Sequence, residues 1–246
     1  MSQRAIKQYI ELYHLNGIAD FFQEKKHIVA IEKTQYTKNV AQTITDELLA
    51  LKAQYTNCQD CLYKQSRIKV VVSRGERNAP IFLIGTSPNY EENMSGFPFP
   101  LTAESGNKLN EMLKGLANDK DTPPELRHWF ERKNMYISLM CKCKAGTTYT
   151  QTPAETKKCL ELLTKEIDIV KPKIILIMGL FTANIFFDKT EDMEYYRNNQ
   201  GVLYEGIPIY VTYNPSDILE NPNKHRKPTW EDLQRFRDHC KKIIGV

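Results

Sequence analysis

Six cysteines lie at uneven spacing along the 246-residue chain, and four of them have a pattern that can bind metal. Cys58-Gln-Asp-Cys61 is a C-x-x-C pair, a spacing that serves zinc sites, clusters and redox motifs alike. Cys143 follows a predicted strand, and Cys159 lies sixteen residues further on, in a predicted helix. Four thiolates from a loop, a strand end and a helix suit a cubane iron–sulfur cluster or a zinc ion. The plainer reading, buried cysteines acting as small apolar side chains, suits Cys240 and Cys141. Disulfides are not expected in a compartment that keeps thiols reduced.

The elements that must position these groups follow from hydrophobic periodicity. Ile68–Val72, Pro80–Ile84, Asn134–Met140, Lys173–Met178 and Ile207–Tyr213 read as strands. Leu109, Met112, Leu113 and Leu116 have helical spacing, and helices are predicted over Pro153–Val170 and Trp230–Ile244. Pro153 suits a first helical turn. Strands alternating with helices predict an α/β fold, a three-layer α/β/α sandwich around a mostly parallel sheet. Ligand sites in such sheets lie beyond the carboxyl ends of the strands, which selects the loops Gly85–Phe99, Leu139–Thr150 and Asn214–Lys227. Residues 1–55 carry two apolar stripes, Ile6, Tyr9, Ile10, Tyr13 and Leu15, then Ile44, Leu48, Leu49 and Leu51. They predict an N-terminal helical extension to a main domain over 56–246.

Composition narrows the class. The content is 41% apolar and 26% charged, ordinary for a globular protein. The apolar run Ile174–Met178 is far too short to span a bilayer. Residues 1–15 are broken by charge and lack the apolar centre of a secretory signal. A cytoplasmic protein with no membrane contact is expected. A net charge of +4 does not announce a nucleic-acid binder. The run Asn223-Lys-His-Arg-Lys227 reads by itself as a solvated loop.

The order of these features resembles the iron–sulfur (family 4) branch of the uracil-DNA glycosylase superfamily, from about Asn57 to the C-terminus. The matching pieces are the C-x-x-C pair with Arg67 and Val70-Val71 after it, and Gly85-x-x-Pro88. Next come Gly96-x-Pro98-Phe99 with Gly106 and Leu109, then Tyr136-Ile137-Ser138 leading to Lys142-Cys143. Lys171-Pro172-Lys173, Gly179, Asn214-Pro215-Ser216, Asn221-Pro222, Lys227 and Trp230-Glu231-Asp232-Leu233 complete the set. The resemblance implies a monomeric enzyme that extrudes a base from DNA and hydrolyses its N-glycosidic bond. It also implies a 4Fe-4S cluster on Cys58, Cys61, Cys143 and Cys159. Flipping costs a few kcal/mol of unstacking, so phosphate anchors and an apolar wedge are needed. Ser105, Gly106 and Ser216 would hold phosphates, with Lys224, Arg226 and Lys227 as point charges, and Ile218 and Leu219 would be the wedge. Phe99 would be the ring on which the flipped base stacks.

Three pocket positions depart from the family. Where the family carries an acid that positions water, this chain has Thr86, beside Ser87. Where it carries an Asn that reads uracil's polar edge, this chain has Leu139, which makes no hydrogen bond. Where it carries a His for the charge on the leaving base, this chain has Asn214, which donates a hydrogen bond without charge. Thr86, Ser87, Phe99, Leu139 and Asn214 therefore form the expected base pocket, with Asn214, Glu91 and Ser87 as catalytic candidates. Glu92 and Asp217 are alternative carboxylates. A site without paired hydrogen bonds does not select strongly for uracil. The expected substrate is a modified or non-uracil base, by analogy with superfamily members directed at modified bacteriophage DNA, a setting of antiviral defence. A catalytically inactive DNA-binding module and a uracil-DNA glycosylase of base-excision repair are the competing readings.

Overall fold

In a computed structural model of the chain, the structure describes residues 47–145 and 153–245. Five strands form one sheet, in the order β2-β1-β3-β5-β4. They are β1 (Ile81–Gly85), β2 (Met135–Leu139), β3 (Ile174–Met178), β4 (Val202–Tyr204) and β5 (Ile207–Thr212). The first three, β5 included as the fourth, pair in parallel, and β4 closes the β5 edge antiparallel. Register places Gly85 opposite Leu139 and Met178 opposite Thr212. The carboxyl ends of all four parallel strands thus share one edge.

Alternation along the strands divides the core. Ile81, Leu83, Ile137, Leu176 and Tyr210 face the helices Glu104–Asn118 and Pro222–Ile244 through Leu109, Leu113, Leu233 and Phe236. Phe82, Ile84, Tyr136, Ile175, Ile177 and Val211 face the helices Pro153–Val170 and Leu180–Phe187 through Leu163, Ile167, Ala183 and Phe186. Burial on both faces explains the near-continuous apolar runs of these strands. Each such side chain stabilises the fold by about 1.5–3 kcal/mol. The predicted three-layer α/β/α sandwich is the observed architecture.

Several expectations are corrected. Ile68–Val72 is not a strand: among the described residues this stretch is irregular, and its nearest ladder contact is one bridge between Arg74 and Ile137. β2 is the outer strand of the sheet and pairs with β1 on one side. Its other side meets this stretch at the Arg74 bridge, while the Val71 and Val72 N–H groups go to the Lys142 and Gly96 carbonyls. The final helix begins at Pro222, not at Trp230. Asn221 caps it by accepting the Lys224 N–H, and Pro222 fits its first turn. The basic run Asn223–Lys227 is therefore helical. Pro228 sits inside that helix, where its carbonyl takes an N–H from Arg197 and the Thr229 hydroxyl bonds the His225 carbonyl. The loops after β1 and β5 likewise hold short helices, Tyr90–Ser95 and Pro215–Glu220.

Residues 1–46 of the predicted extension lie outside the described residues, as do 146–152 of the loop after β2. Residues 47–56 form a helix whose Leu51 and Tyr55 pack on Leu162. Tyr55 and Lys52 of that helix also border a buried ion pair, Lys142 Nζ to Glu166 Oε2 at 2.9 Å. Ser73, Tyr136 and Ser138 donate their hydroxyls to the same carboxylate. The ammonium and these donors keep Glu166 below the ordinary carboxylate range despite its full burial.

Candidate functional site

The shared strand edge gathers the predicted pocket. Thr86 follows β1, and Asn214 follows β5 as the N-cap of Pro215–Glu220. Asn214 Nδ2 donates to Thr86 Oγ1 at 2.9 Å and to the Met178 carbonyl at 3.4 Å, while its Oδ1 accepts the Ser216 N–H at 3.1 Å. The amide is thus fully engaged. It also fixes the Thr86 hydroxyl: with its oxygen accepting from Asn214, the remaining O–H is free to donate to a ligand. Gly179 permits this approach, since a Cβ there would lie 2.9 Å from Thr86 Cγ2, and its φ of +107° disfavours any side chain.

Gly85, Phe99 and Leu139 form an apolar wall beside this pair. A Cβ at Gly85 would lie 2.6 Å from Leu139 Cδ2 and 2.7 Å from the Phe99 ring. Leu139 and Phe99 are each 2% exposed. Phe99 has a φ of +49°, left-handed backbone that costs a bulky residue about 1–2 kcal/mol. Its N–H donates to Glu92 Oε1 at 2.7 Å, and its carbonyl accepts from Arg132 at 2.6 Å. Ser87 is half-buried next to Thr86.

The carboxylate candidates separate by burial. Glu92 is buried and committed: it closes a capping box with Asn89, and burial pushes its carboxyl up against the pull of the Asn89 and Phe99 N–H groups. Glu91 is exposed on the same helix. Asp217 accepts the Asn214 N–H at 2.9 Å, within the second capping box. The Asn-x-x-Glu and Asn-x-x-Asp patterns carried that information in the sequence. Gly179 was among the motif pieces, whereas Arg132 and the Met178 carbonyl belong to the site without any comparable signal.

The remaining predicted contacts are distributed as follows. Ser105 and Gly106 are buried under the first turn of Glu104–Asn118, where Asn89 donates to Ser105 Oγ at 3.1 Å and Arg132 to the Gly106 carbonyl at 3.2 Å. Leu101 and Thr102 are exposed at that turn instead. Ser216 is half-buried, while Lys224, Arg226 and Lys227 are exposed on the first turns of Pro222–Ile244. Ile218 is 3% exposed and belongs to the core, whereas its neighbour Leu219 is 38% exposed. Of the predicted wedge, only Leu219 faces solvent.

All four candidate cysteines are free thiols, with Cys143 and Cys159 buried and Cys58 and Cys61 half-buried. Among the described residues no three Cys, His, Asp or Glu side chains close up around a single ion. The sulfurs are nonetheless neighbours: Cys58 and Cys61 act electrostatically on Cys143, and Cys61 and Cys143 on Cys159. Arg67 donates to Cys143 Sγ at 3.3 Å, and the Lys142 backbone donates to the Cys159 sulfur. Burial pushes Cys143 up and Cys159 to about 11, so a cationic centre is what would keep them as thiolates. Tetrahedral zinc with bonds near 2.3 Å needs sulfurs about 3.8 Å apart. Four thiols drawn from three chain segments, with an N–H aimed at the Cys143 and Cys159 sulfurs, are a donor set that an iron–sulfur cluster or a zinc ion could take.

Residues 72–234 match the family model of the uracil DNA glycosylase superfamily. The chain belongs to that superfamily, and so to the DNA-glycosylase class of enzymes. Within it the chain is similar to proteins named Type-4 uracil-DNA glycosylase. That of Sulfurisphaera tokodaii is 28% identical over 200 residues, covering 78% of this chain and 84% of its own length. That of Thermotoga maritima is 27% identical over 200 residues, covering 80% and 97%. That of Archaeoglobus fulgidus is 24% identical over 194 residues, covering 76% and 89%. No described helix is long and apolar enough to cross a membrane.

Proposed function

We propose that the chain acts on DNA as a glycosylase that takes an everted base against Phe99 and Leu139 and hydrolyses its N-glycosidic bond. The observation that carries this reading is the 2.9 Å bond from Asn214 to Thr86. It joins two strand ends beside an apolar plate and presents one oriented hydroxyl donor to whatever the plate receives. Negative charge grows on the departing base as the bond breaks, and a preorganised donor lowers that barrier more in the transition state than in the ground state. Thr86 supplies the donor, and Asn214 polarises it. Asp217 holds the Asn214 peptide, and exposed Glu91 is the carboxylate free to orient water.

Leu139 carries the substrate choice. Fully buried against Gly85, it offers an apolar surface where paired hydrogen bonds would read uracil, which favours an altered base such as those of modified phage DNA. The second reading, uracil, draws on the names of the relatives. Cys58, Cys61, Cys143 and Cys159 would hold a 4Fe-4S cluster, whose contribution is to tie three chain segments together. A single chain carries the whole pocket, so a monomer suffices. Exposed Lys224, Arg226 and Lys227 would meet phosphates and Leu219 the base stack.

Purified protein is to be assayed for abasic sites on duplexes carrying uracil, other deaminated bases or hypermodified bases. Excision of an altered base with weak action on uracil is the expected result. Uracil excision at ordinary rates overturns the altered-base reading. Salt-dependent DNA binding with no excision of any base overturns the enzyme in favour of a binding module.

A further inference from the structure

The peptide of Phe99 is held between two opposite charges. Phe99 lies between Pro98 and Pro100, neither of which has an N–H. The Phe99 N–H is therefore the one backbone donor of that tripeptide, and Glu92 Oε1 accepts it at 2.7 Å. On the other side Arg132 donates one NH2 group to the Phe99 carbonyl at 2.6 Å and the other to the Gly106 carbonyl at 3.2 Å. The second oxygen of Glu92 accepts the Asn89 N–H at 2.9 Å. Neither charge bonds the pocket-lining side chains. Both bond the backbone that aims one of those side chains.

We propose that Glu92 and Arg132 are positioning residues that clamp Phe99 in its left-handed backbone, so that its ring stays over Gly85 as a rigid plate for the everted base. The inference rests on the stacking role given to Phe99 above. A left-handed phenylalanine has no intrinsic reason to stay, because relaxation to right-handed or extended backbone swings the ring away from Gly85. No regular element supplies partners for this peptide, so two side chains do. The carboxylate fixes the donor end, and the guanidinium fork ties the acceptor end to the first turn of Glu104–Asn118. A plate locked before the base arrives acts on the chemical step, because a base resting on a drifting ring is bound but misaligned.

The test uses the full chain and two readouts. Amide hydrogen exchange at Phe99 needs no substrate: the amide should exchange slowly in the wild type and about a hundredfold faster in Glu92→Leu, while β1 and β3 keep their protection. Excision is measured on the duplex that the wild type cleaves best. Glu92→Leu and Arg132→Met should lower kcat at least about tenfold with KM changed less than about threefold. Glu92→Gln, whose amide oxygen still accepts the Phe99 N–H, should recover most of the rate. Should Glu92→Leu fail to fold, Arg132→Met against Arg132→Lys repeats the comparison, since lysine reaches one carbonyl but not both. A Phe99 amide still protected in Glu92→Leu overturns the proposal, as does a loss seen only in KM. Phe99→Leu separates the two levels. If it cleaves as the wild type does, the stacking reading fails and the clamp's role with it. If it is impaired while the clamp variants cleave normally, stacking stands and the clamp alone is refuted.

Discussion

Breaking the bond between Asn214 and Thr86 should cost the two residues the same activity, not separate shares. Asn214→Ala removes both donors of its amide, at 2.9 and 3.4 Å, and the acceptor that caps Pro215–Glu220 at 3.1 Å. Loss of the cap lowers stability by about 1 kcal/mol, which for a domain of this size moves Tm by roughly 2–4 °C. The activity loss has a different origin. A hydrogen bond to a group that gains charge contributes about 1.5–3 kcal/mol, or roughly 10- to 150-fold in rate. Thr86→Val removes the hydroxyl itself and should fall in the same range. If Asn214 acts by orienting Thr86, the double variant is no slower than the worse single one. If they act independently the losses multiply, to roughly a hundredfold at least. Single-turnover excision, well below the melting temperature of the weakest variant, measures all four corners of the cycle. Multiplying losses, or an Asn214→Ala protein that cleaves at the wild-type rate, would refute the reasoning.

Leu219→Ala should weaken base eversion with little change in Tm, whereas Ile218→Ala should destabilise by about 2–4 kcal/mol, because only Ile218 is in the core. Denaturant titration and the fluorescence of 2-aminopurine beside the target base separate the two. Leu139→Asn restores a polar reader, so the ratio of uracil excision to altered-base excision should rise about tenfold or more; an unchanged ratio contradicts Leu139 as the selector. Burial lowers Lys52 to about 8 from 10.5, so across that window the unfolded chain holds a proton that the folded protein has released. This lysine's own contribution to stability therefore rises with pH, against the opposite contribution of buried thiols raised above 9. Lys52→Met should make the slope of stability against pH between about 8 and 10.5 more negative than in the wild type, as read in urea titrations. Serine at Cys58, Cys61, Cys143 or Cys159 should abolish bound iron and sulfide, with Cys240→Ala retaining both; stoichiometric zinc in the wild type contradicts the cluster.

The sheet was legible because its strands are buried on both faces, and Ile81–Ile84 or Ile174–Met178 leave no polar residue to blur the pattern. Ile68–Val72 is also rich in branched apolar residues and forms no strand: Lys69 interrupts the run, Ile68 is exposed, and the Val71 and Val72 N–H groups bond carbonyls outside the sheet. The early start of the last helix was obscured by Pro228, which reads locally as a breaker. A tertiary bond from Arg197 to its carbonyl and a local one from the Thr229 hydroxyl to the His225 carbonyl compensate. Within the site, residues at strand ends were readable from motif order. Arg132 was not: it reaches Phe99 across 33 positions of sequence, and a single arginine among loop charges carries no periodic mark.

The three positions read in the sequence as departures from the iron–sulfur branch lie along one edge of the sheet. Thr86, Leu139 and Asn214 stand at the carboxyl ends of β1, β2 and β5, and the bond from Asn214 to Thr86 spans the end of β3 between them. Leu139 packs on the same Gly85 that Phe99 covers. Here the Asn214 amide has both donors and its oxygen used, and Leu139 fills space without a stranded polar group. Such satisfaction is required of buried polar groups whether or not a pocket still acts, so it fits a pocket rebuilt for a different base and one abandoned alike. The Asn214 and Thr86 cycle decides between them, because an abandoned pocket has no rate for the two residues to share.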